Sequence, residues 1–310
     1  MANLKNIKNR IQSVQSTKKI TRAMKMVASA KVKKAEMTVK ASRPFTATLN
    51  DTFKKMLSYV SEYSSSTLKI KSPIDNYPEL LKIREIKAVG ILVNTSNKGL
   101  AGAYNTNVIR KTAEVVKEYT KSGIKSYLFI IGQKGISSLP RKLYGCNYEI
   151  VKTYISIANK PTPEDSKKVT EDLAEMFVNK KIDKIEVITT RFKNMMSYFV
   201  ESWVVLPLKT LTEDYDRLHD GVLEPMMLFE PDKHHILQKV VPMYITNVIY
   251  QALLEAQASE LASRMTAMSA ASTNAEKMIS KLSLEYNKLR QAAITNEIVE
   301  VVAGANAQKN

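Results

Sequence analysis

The apolar positions near the C-terminus form a seam: Leu254, Ala258, Leu261, Met265, Met268, Ser272, Ala275, Ile279, Leu282, Tyr286, Leu289 and Ala293. The steps alternate four and three without a slip, only Ser272 is polar, and no Gly or Pro interrupts the run. This is a heptad repeat with its a and d positions filled. A stripe so narrow cannot bury a helix in an ordinary core, so the helix requires a partner along its length. The other end of the chain supplies one. Leu4, Ile7, Ile11 and Val14 step by three and four. After a one-residue slip Thr17, Ile20, Met24 and Val27 resume the pattern, and Ala28, Val32, Ala35 and Val39 carry it on after a second small shift. These positions predict one helix from Leu4 to about Tyr59, bent or ended at Pro44, where the ring removes a backbone donor. The two slips predict a locally irregular supercoil.

Between the two helices the periodicity changes. A breaker-rich stretch, Ser61 to Pro78, marks a boundary. Short apolar runs at Ile86–Val93, Ser126–Ile131, Tyr148–Ile157, Ile182–Thr190 and Tyr198–Leu206 read as strands. Helical spacing separates them at Tyr104–Thr120, at Lys134–Leu139 and from Pro163 to Val178, the last with proline in its first turn. Strands alternating with helices predict an α/β layer with a mainly parallel sheet. Leu206 to Pro231 is irregular, with Pro207, Gly221, Pro225 and Pro231. Asp232 is placed to cap a helix that runs to about Ala303, with a kink at Pro242. At about 1.5 Å per residue that helix is on the order of 100 Å long. The fold class is α/β with a long antiparallel coiled coil, the terminal helices paired and an α/β domain inserted between them. The corresponding divisions are 1–60, 61–206, 207–231 and 232–310.

Charge adds a partner to this picture. The net charge is +17, and residues 1–43 carry twelve Lys and Arg against one acid, Glu36. A helix this basic is either a solvated face or the complement of an acidic surface: nucleic acid, an anionic membrane or an acidic protein. The segment to Arg43 has no aromatic residue to stack on bases, which weighs against nucleic acid. No apolar run approaches the roughly 18 residues of a membrane span. The start, MANLKNIKNR, lacks the apolar stretch of a signal peptide. The single cysteine, Cys146, excludes an internal disulfide and supplies no metal cluster.

Candidate chemistry is sparse. Asn94 to Asn105, NTSNKGLAGAYN, follows a strand and precedes a helix, and its Gly99 and Gly102 sit as in a phosphate loop. It matches neither Walker A nor GxGxxG, so a tight turn is the preferred reading. His219, His234 and His235 lack a third ligand or a cysteine beside them, and they read as surface histidines. Glu213, Asp214 and Asp216 read as solvated loop acids. No catalytic, cofactor or metal site is expected.

Four segments, in order along the whole chain, resemble one family. The run QSTKKITRAMKMVASAKVKKAE (Gln15–Glu36) resembles the N-terminal helix of the γ subunit of F-type ATP synthases, bacterial type. YNKLRQAAITNEIVEVVAGANA (Tyr286–Ala307) looks like that family's C-terminal signature. NTSNKGLAGAYN matches its Gly-rich turn, and MLFEPD (Met227–Asp232) the entry to its last helix.

The resemblance implies paired terminal helices, a Rossmann-like domain, and a central rotor shaft without bond chemistry of its own. The shaft stands in a ring of α and β subunits. Its base sits with ε on the c-subunit ring, one copy per complex, peripheral to the cytoplasmic side of the inner membrane. Proton flow turns the c ring, and the shaft drives the catalytic β subunits through their binding states. Carried over by residue, the resemblance implies β-subunit contacts at Met24, Arg290, Gln291, Thr295 and Glu297. It implies a low-friction sleeve around the tip at Ile298, Val301 and Val302, and ε and c-ring contacts within Leu206–Asp232. Ala101 and Ala103 depart from the Cys and Gly common in relatives, and the cysteine-bearing insertion of chloroplast members is absent. The competing classes are a coiled-coil nucleic-acid-binding protein and an enzyme using the α/β domain.

Overall fold

Alternating strand residues sort into two cores on opposite faces of one sheet, and this alternation sets the layers of the α/β part. In the computed structural model, which describes residues 4–63, 80, 84–207, 230 and 233–307, the elements run α1 (Leu4–Tyr63), β1 (Ala88–Asn94), α2 (Tyr104–Lys121), β2 (Lys125–Ile131) and α3 (Gln133–Lys142). Then come β3 (Tyr148–Tyr154), α4 (Pro163–Val178), β4 (Lys184–Asn194), β5 (Ser197–Leu206) and α5 (Lys233–Ala307). All five expected strands are present, with ends shifted by a few residues. The strand order is β3-β2-β1-β4-β5. The first three pairings are parallel and only β4–β5 is antiparallel.

The chain divides into two compact units, Lys31–Ser263 on one hand and Met1–Ala30 with Arg264–Asn310 on the other. In the larger unit, Val89, Ile91, Val93, Leu128 and Ile130 pack under α2 and α3. Leu92, Phe129, Ile131, Ile185 and Val187 face the opposite way, toward α4 and the part of α1 and α5 that belongs to this unit. That second core takes Leu49, Phe53 and Met56 from α1 and Val241, Tyr244, Ile245 and Ile249 from α5. Contacts between Ser42 and Gln251, Thr46 and Asn247, and Phe53 and Tyr244 run in opposite directions along the two helices, so the pair is antiparallel. Ala252, Ala256, Ala258 and Ala262 are buried on α5, and these small side chains let neighbouring elements approach closely.

In the smaller unit every seam position of α5, from Met265 to Ala293, is buried or half-buried, and most of its neighbours are exposed. The facing seam on α1 differs from expectation. Ile7, Ile11 and Val14 point inward, but Thr17 is exposed, Ile20 is 60% exposed and Val27 57%. The inward positions are Lys18, Thr21, Met24 and Ala28. Hydrophobicity misplaced the seam because two of its members are polar. Lys18 lays its stem along the contact and carries its ammonium to Glu276, at 2.8 Å. Thr21 returns its hydroxyl to the Lys18 carbonyl.

Pro44 neither ends nor interrupts α1, which runs through it. It lies on the exposed side of the helix, where the carbonyl it leaves without a partner meets water. Pro242 likewise lies inside α5, on an exposed position. Asp232, the expected cap, lies outside the described residues.

Candidate functional site

The Gly-rich turn after β1 closes on itself. Gly102 has φ 54° and Leu100 φ 64°, so the loop needs left-handed backbone at both positions. Asn105, in the first turn of α2, accepts the Ser96 amide through its Oδ1 at 3.0 Å. Tyr104 donates its hydroxyl to the Asn94 carbonyl, and Ser263 on α5 donates to the Ala101 carbonyl at 2.6 Å. The crevice where α/β sheets take ligands lies at the carboxyl ends of the strands, where the order reverses. Here α5 covers it: Leu253, Ala256 and Glu260 line the remaining cavity beside Asn94, Thr95 and Tyr104, and its volume is about 20 Å³. That holds a water molecule rather than a nucleotide. The turn reading holds for Gly102, while at Gly99 the backbone is not left-handed and Leu100 beside it takes that conformation.

The buried acids are equally unsuited to catalysis. Glu186 on β4 loses solvation, which raises its pKa, yet bonds from Ser202, Tyr119 and Lys184 outweigh burial and leave it below the usual carboxylate range. Tyr119 donates to it at 2.5 Å, and Lys184 reaches both groups. An ionised carboxylate with its lone pairs occupied is a structural anchor. Cys146 is half-buried after the Gly145 turn. Among the described residues no group of His, Cys, Asp and Glu could hold a metal ion. The side chains of His219, His234 and His235, and the acids Glu213, Asp214 and Asp216, lie outside the described residues.

What the structure does present is a surface, in the smaller unit. Met1–Ala30 carries seven Lys and Arg and no acid. Met24 is half-buried in the seam, so it packs between the helices while part of it reaches solvent. Arg290, Gln291, Thr295 and Glu297 are all exposed, and Thr295 returns its hydroxyl to the Gln291 carbonyl. From Ile294 to Gly304 every position of α5 is exposed. That stretch includes Ile298, Val299, Val301 and Val302, with Val301 72% exposed. A helix end with this many uncovered branched residues marks an interaction surface.

One cluster escaped the sequence reading, which saw Arg43 only as part of a basic run. Glu255 of α5, its side chain 3% exposed, receives the Arg43 guanidinium on both oxygens, at 2.8 and 2.9 Å. It also accepts the Phe192 amide of β4 at 2.7 Å and the Gln251 amide at 3.0 Å. Arg43 in turn donates to the Phe192 carbonyl at 2.6 Å. The only hint in the sequence was an acid, Glu255, beside an otherwise apolar seam position.

The comparisons with known proteins agree with one another. A family model described as ATP synthase matches residues 3–308. The chain belongs to the ATP synthase gamma-chain family. An ATP synthase gamma chain from Synechococcus sp. (strain JA-3-3Ab) is 39% identical, over 99% of this chain and 100% of that protein. One from Trichormus variabilis is 40% identical over 99% of both. Among solved structures, a chain of the Tetrahymena thermophila mitochondrial ATP synthase central stalk and c ring aligns with TM-score 0.59 and 25% identity, over 82% of this chain and 99% of that one. A chain of the Euglena gracilis mitochondrial ATP synthase aligns with TM-score 0.65 over 98% and 94%; at 15% identity it attests the fold alone. The gamma chain is a non-catalytic stalk subunit, and nothing in these matches supports nucleic-acid binding. No helix among the described residues is long and apolar enough to cross a membrane.

Proposed function

We propose that this chain is the rotor shaft of a proton-translocating ATP synthase, one copy per complex. It couples rotation of a c-subunit ring to the binding states of catalytic β subunits, in synthesis or hydrolysis. Its partners are the α and β subunits, ε and the c ring, and it needs no cofactor. The observation that carries this reading is the end of α5, where exposed Ile298, Val301 and Val302 follow the last seam residue, Ala293. A ring that encloses this tip supplies the missing cover, and the uncharged side chains of Ile298, Val301 and Val302 turn within it at little cost. Below the tip, Arg290, Gln291, Thr295 and Glu297 offer exposed polar groups to a β-subunit loop, and Met24 lies in the seam of the same unit. The basic α1 complements an acidic β-subunit surface and sets register and encounter more than affinity. The complex sits peripherally on the cytoplasmic side of a bacterial inner membrane. The divisions 1–60, 61–206, 207–231 and 232–310 then correspond to shaft, base domain, base contact and shaft.

The test is purification from detergent-solubilised membranes followed by single-molecule observation. The chain should co-purify with α, β and ε as an ATPase, and a bead fixed to it should rotate in one direction on ATP. Recovery of the chain on RNA or DNA without ATPase subunits would overturn the reading.

A further inference from the structure

The geometry points to the Arg43–Glu255–Phe192 cluster as the joint that passes torque between the sheet and the helix pair within the larger unit; this rests on the rotor reading above. Three elements meet at one carboxylate: α1 through Arg43, α5 through Glu255 itself and β4 through the backbone of Phe192. Glu255 has four acceptor positions, and four donors fill them: Arg43 Nε and Gln251 Nε2 on Oε1, Arg43 Nη2 and Phe192 N on Oε2. Ser42 extends the network by donating to Gln251 at 2.6 Å. A second link lies one turn away, where Thr189 of β4 donates to the Ala252 carbonyl and itself accepts from Asn94 of β1.

The surroundings explain why a polar joint is placed here. Ala252, Ala256 and Ala258 give α5 low relief at this level. Smooth apolar surfaces hold helices together but resist rotation about their axes weakly, since the hydrophobic effect has no direction. A bidentate guanidinium–carboxylate pair is directional and planar. Bonded further to both polar atoms of one strand residue, it fixes the rotation of both helices against the sheet. Phe192 sits just before a register shift that interrupts the β4–β5 ladder, between Phe192 and Asn194, and its ring is buried, so the strand is anchored where the network grips it. Arg43 and Glu255 are positioning residues: they touch no nucleotide and no catalytic group.

The experiment uses the assembled enzyme in inverted membrane vesicles and reads ATP hydrolysis and ATP-driven acidification together. Glu255→Gln keeps the shape and loses the charge. It should leave the hydrolysis rate near the parent value and lower protons pumped per ATP by roughly fivefold or more. The exchange Arg43→Glu with Glu255→Arg keeps the helix–helix ion pair but offers Phe192 an acceptor where its carbonyl needs a donor, and a donor where its amide needs an acceptor. It should assemble and remain uncoupled. An apolar replacement, Arg43→Met with Glu255→Leu, covers the case in which a lone buried charge prevents folding. It should assemble, hydrolyse ATP and pump poorly. Parent-level pumping per ATP in either double variant would overturn the proposal, because packing alone would then suffice. Failure of the rotor reading looks different: the unaltered chain would be absent from the ATPase.

Discussion

The rings of Phe53 on α1 and Tyr244 on α5 stack with centroids 4.4 Å apart and planes 21° apart. Both are buried in the core that joins the antiparallel helices to the sheet. Phe53 is wholly buried, so truncation removes both its transfer energy and its ring partner. Phe53→Ala should destabilise the larger unit by about 3–5 kcal/mol. Denaturant unfolding monitored by far-UV circular dichroism checks this; a loss below about 1 kcal/mol would mean the core collapses into the gap.

The same pair predicts an alkaline limit. Burial pushes the Tyr244 hydroxyl up to about 12 from its ordinary value of 10.0. Well below pH 10.0, at about pH 9 and lower, the ring is neutral in both folded and unfolded chains and contributes no pH dependence. Between 10.0 and about 12 the unfolded chain ionises first, so stability falls as pH rises, by about 1.4 kcal/mol per unit for this group. Above about 12 the loss is complete. Tyr244→Phe should flatten the decline across that window by on the order of 3 kcal/mol, about half of it by pH 11. Urea midpoints of the two proteins at pH 9 and pH 11 give the comparison, and parallel declines would contradict it.

Thr162 and Asp165 form a reciprocal cap on α4. The Thr162 hydroxyl accepts the Asp165 amide at 3.2 Å, and the Asp165 carboxylate accepts the Thr162 amide at 3.0 Å. Thr162→Ala should cost about 1 kcal/mol, up to 2. Thr162→Ser, which keeps the oxygen, should be nearly neutral in the same denaturant unfolding. Equal losses in the two variants would show that the methyl, not the hydroxyl, matters.

The legible parts of this fold are those in which hydrophobicity and geometry coincide. The α5 seam from Leu254 to Ala293 reads directly because its side chains, Ser272 apart, are both apolar and inward. The strands read from runs such as Ala88–Asn94, buried on both faces of the sheet. On α1 the two properties separate. Ile20 and Val27 are apolar but outward, while Lys18 and Thr21 are polar but inward, so a search for apolar periodicity reports a slip at the wrong residues. The Arg43–Glu255 joint was invisible for a related reason: its partners are 212 residues apart and its third member is backbone. Sequence pattern carries no signal for a main-chain amide. The proposed contact residues Arg290 to Glu297 came from resemblance alone, since an exposed polar helix face has no signature of its own.

Arg290 is exposed on α5, near the last half-buried seam residues. Its guanidinium can be removed without unfolding the helix pair. Arg290→Ala should leave thermal stability within about 0.5 kcal/mol, as surface substitutions do. Loss of the proposed charge-assisted bond to a β-subunit loop should weaken that contact by about 1.5–3 kcal/mol, seen as slower ATP turnover or reduced assembly. Arg290→Lys restores charge but not the planar fork and should recover only part of the effect. Normal turnover and normal assembly in the Ala variant would remove Arg290 from the contact.

Met24 separates packing from coupling. It is half-buried between Thr21 and Ala28, so a lysine there can extend its stem along the seam and carry its charge to solvent. Met24→Lys should therefore fold and assemble, with a stability change of about 1 kcal/mol or less. The added charge sits on a helix that already bears seven Lys and Arg over Met1–Ala30 without an acid. An acidic surface moving past it would be held too strongly, and the motor would hydrolyse ATP while pumping fewer protons per ATP. Salt distinguishes this from a packing defect. If the extra attraction is electrostatic and solvent-exposed, raising ionic strength from 0.05 to about 0.3 M shortens its range and should restore part of the coupling. Met24→Leu fills the same volume without charge and should couple normally at every salt concentration. If the Leu variant fails as badly as the Lys variant, or if the Lys defect ignores salt, Met24 acts through packing in the seam and makes no contact with the ring.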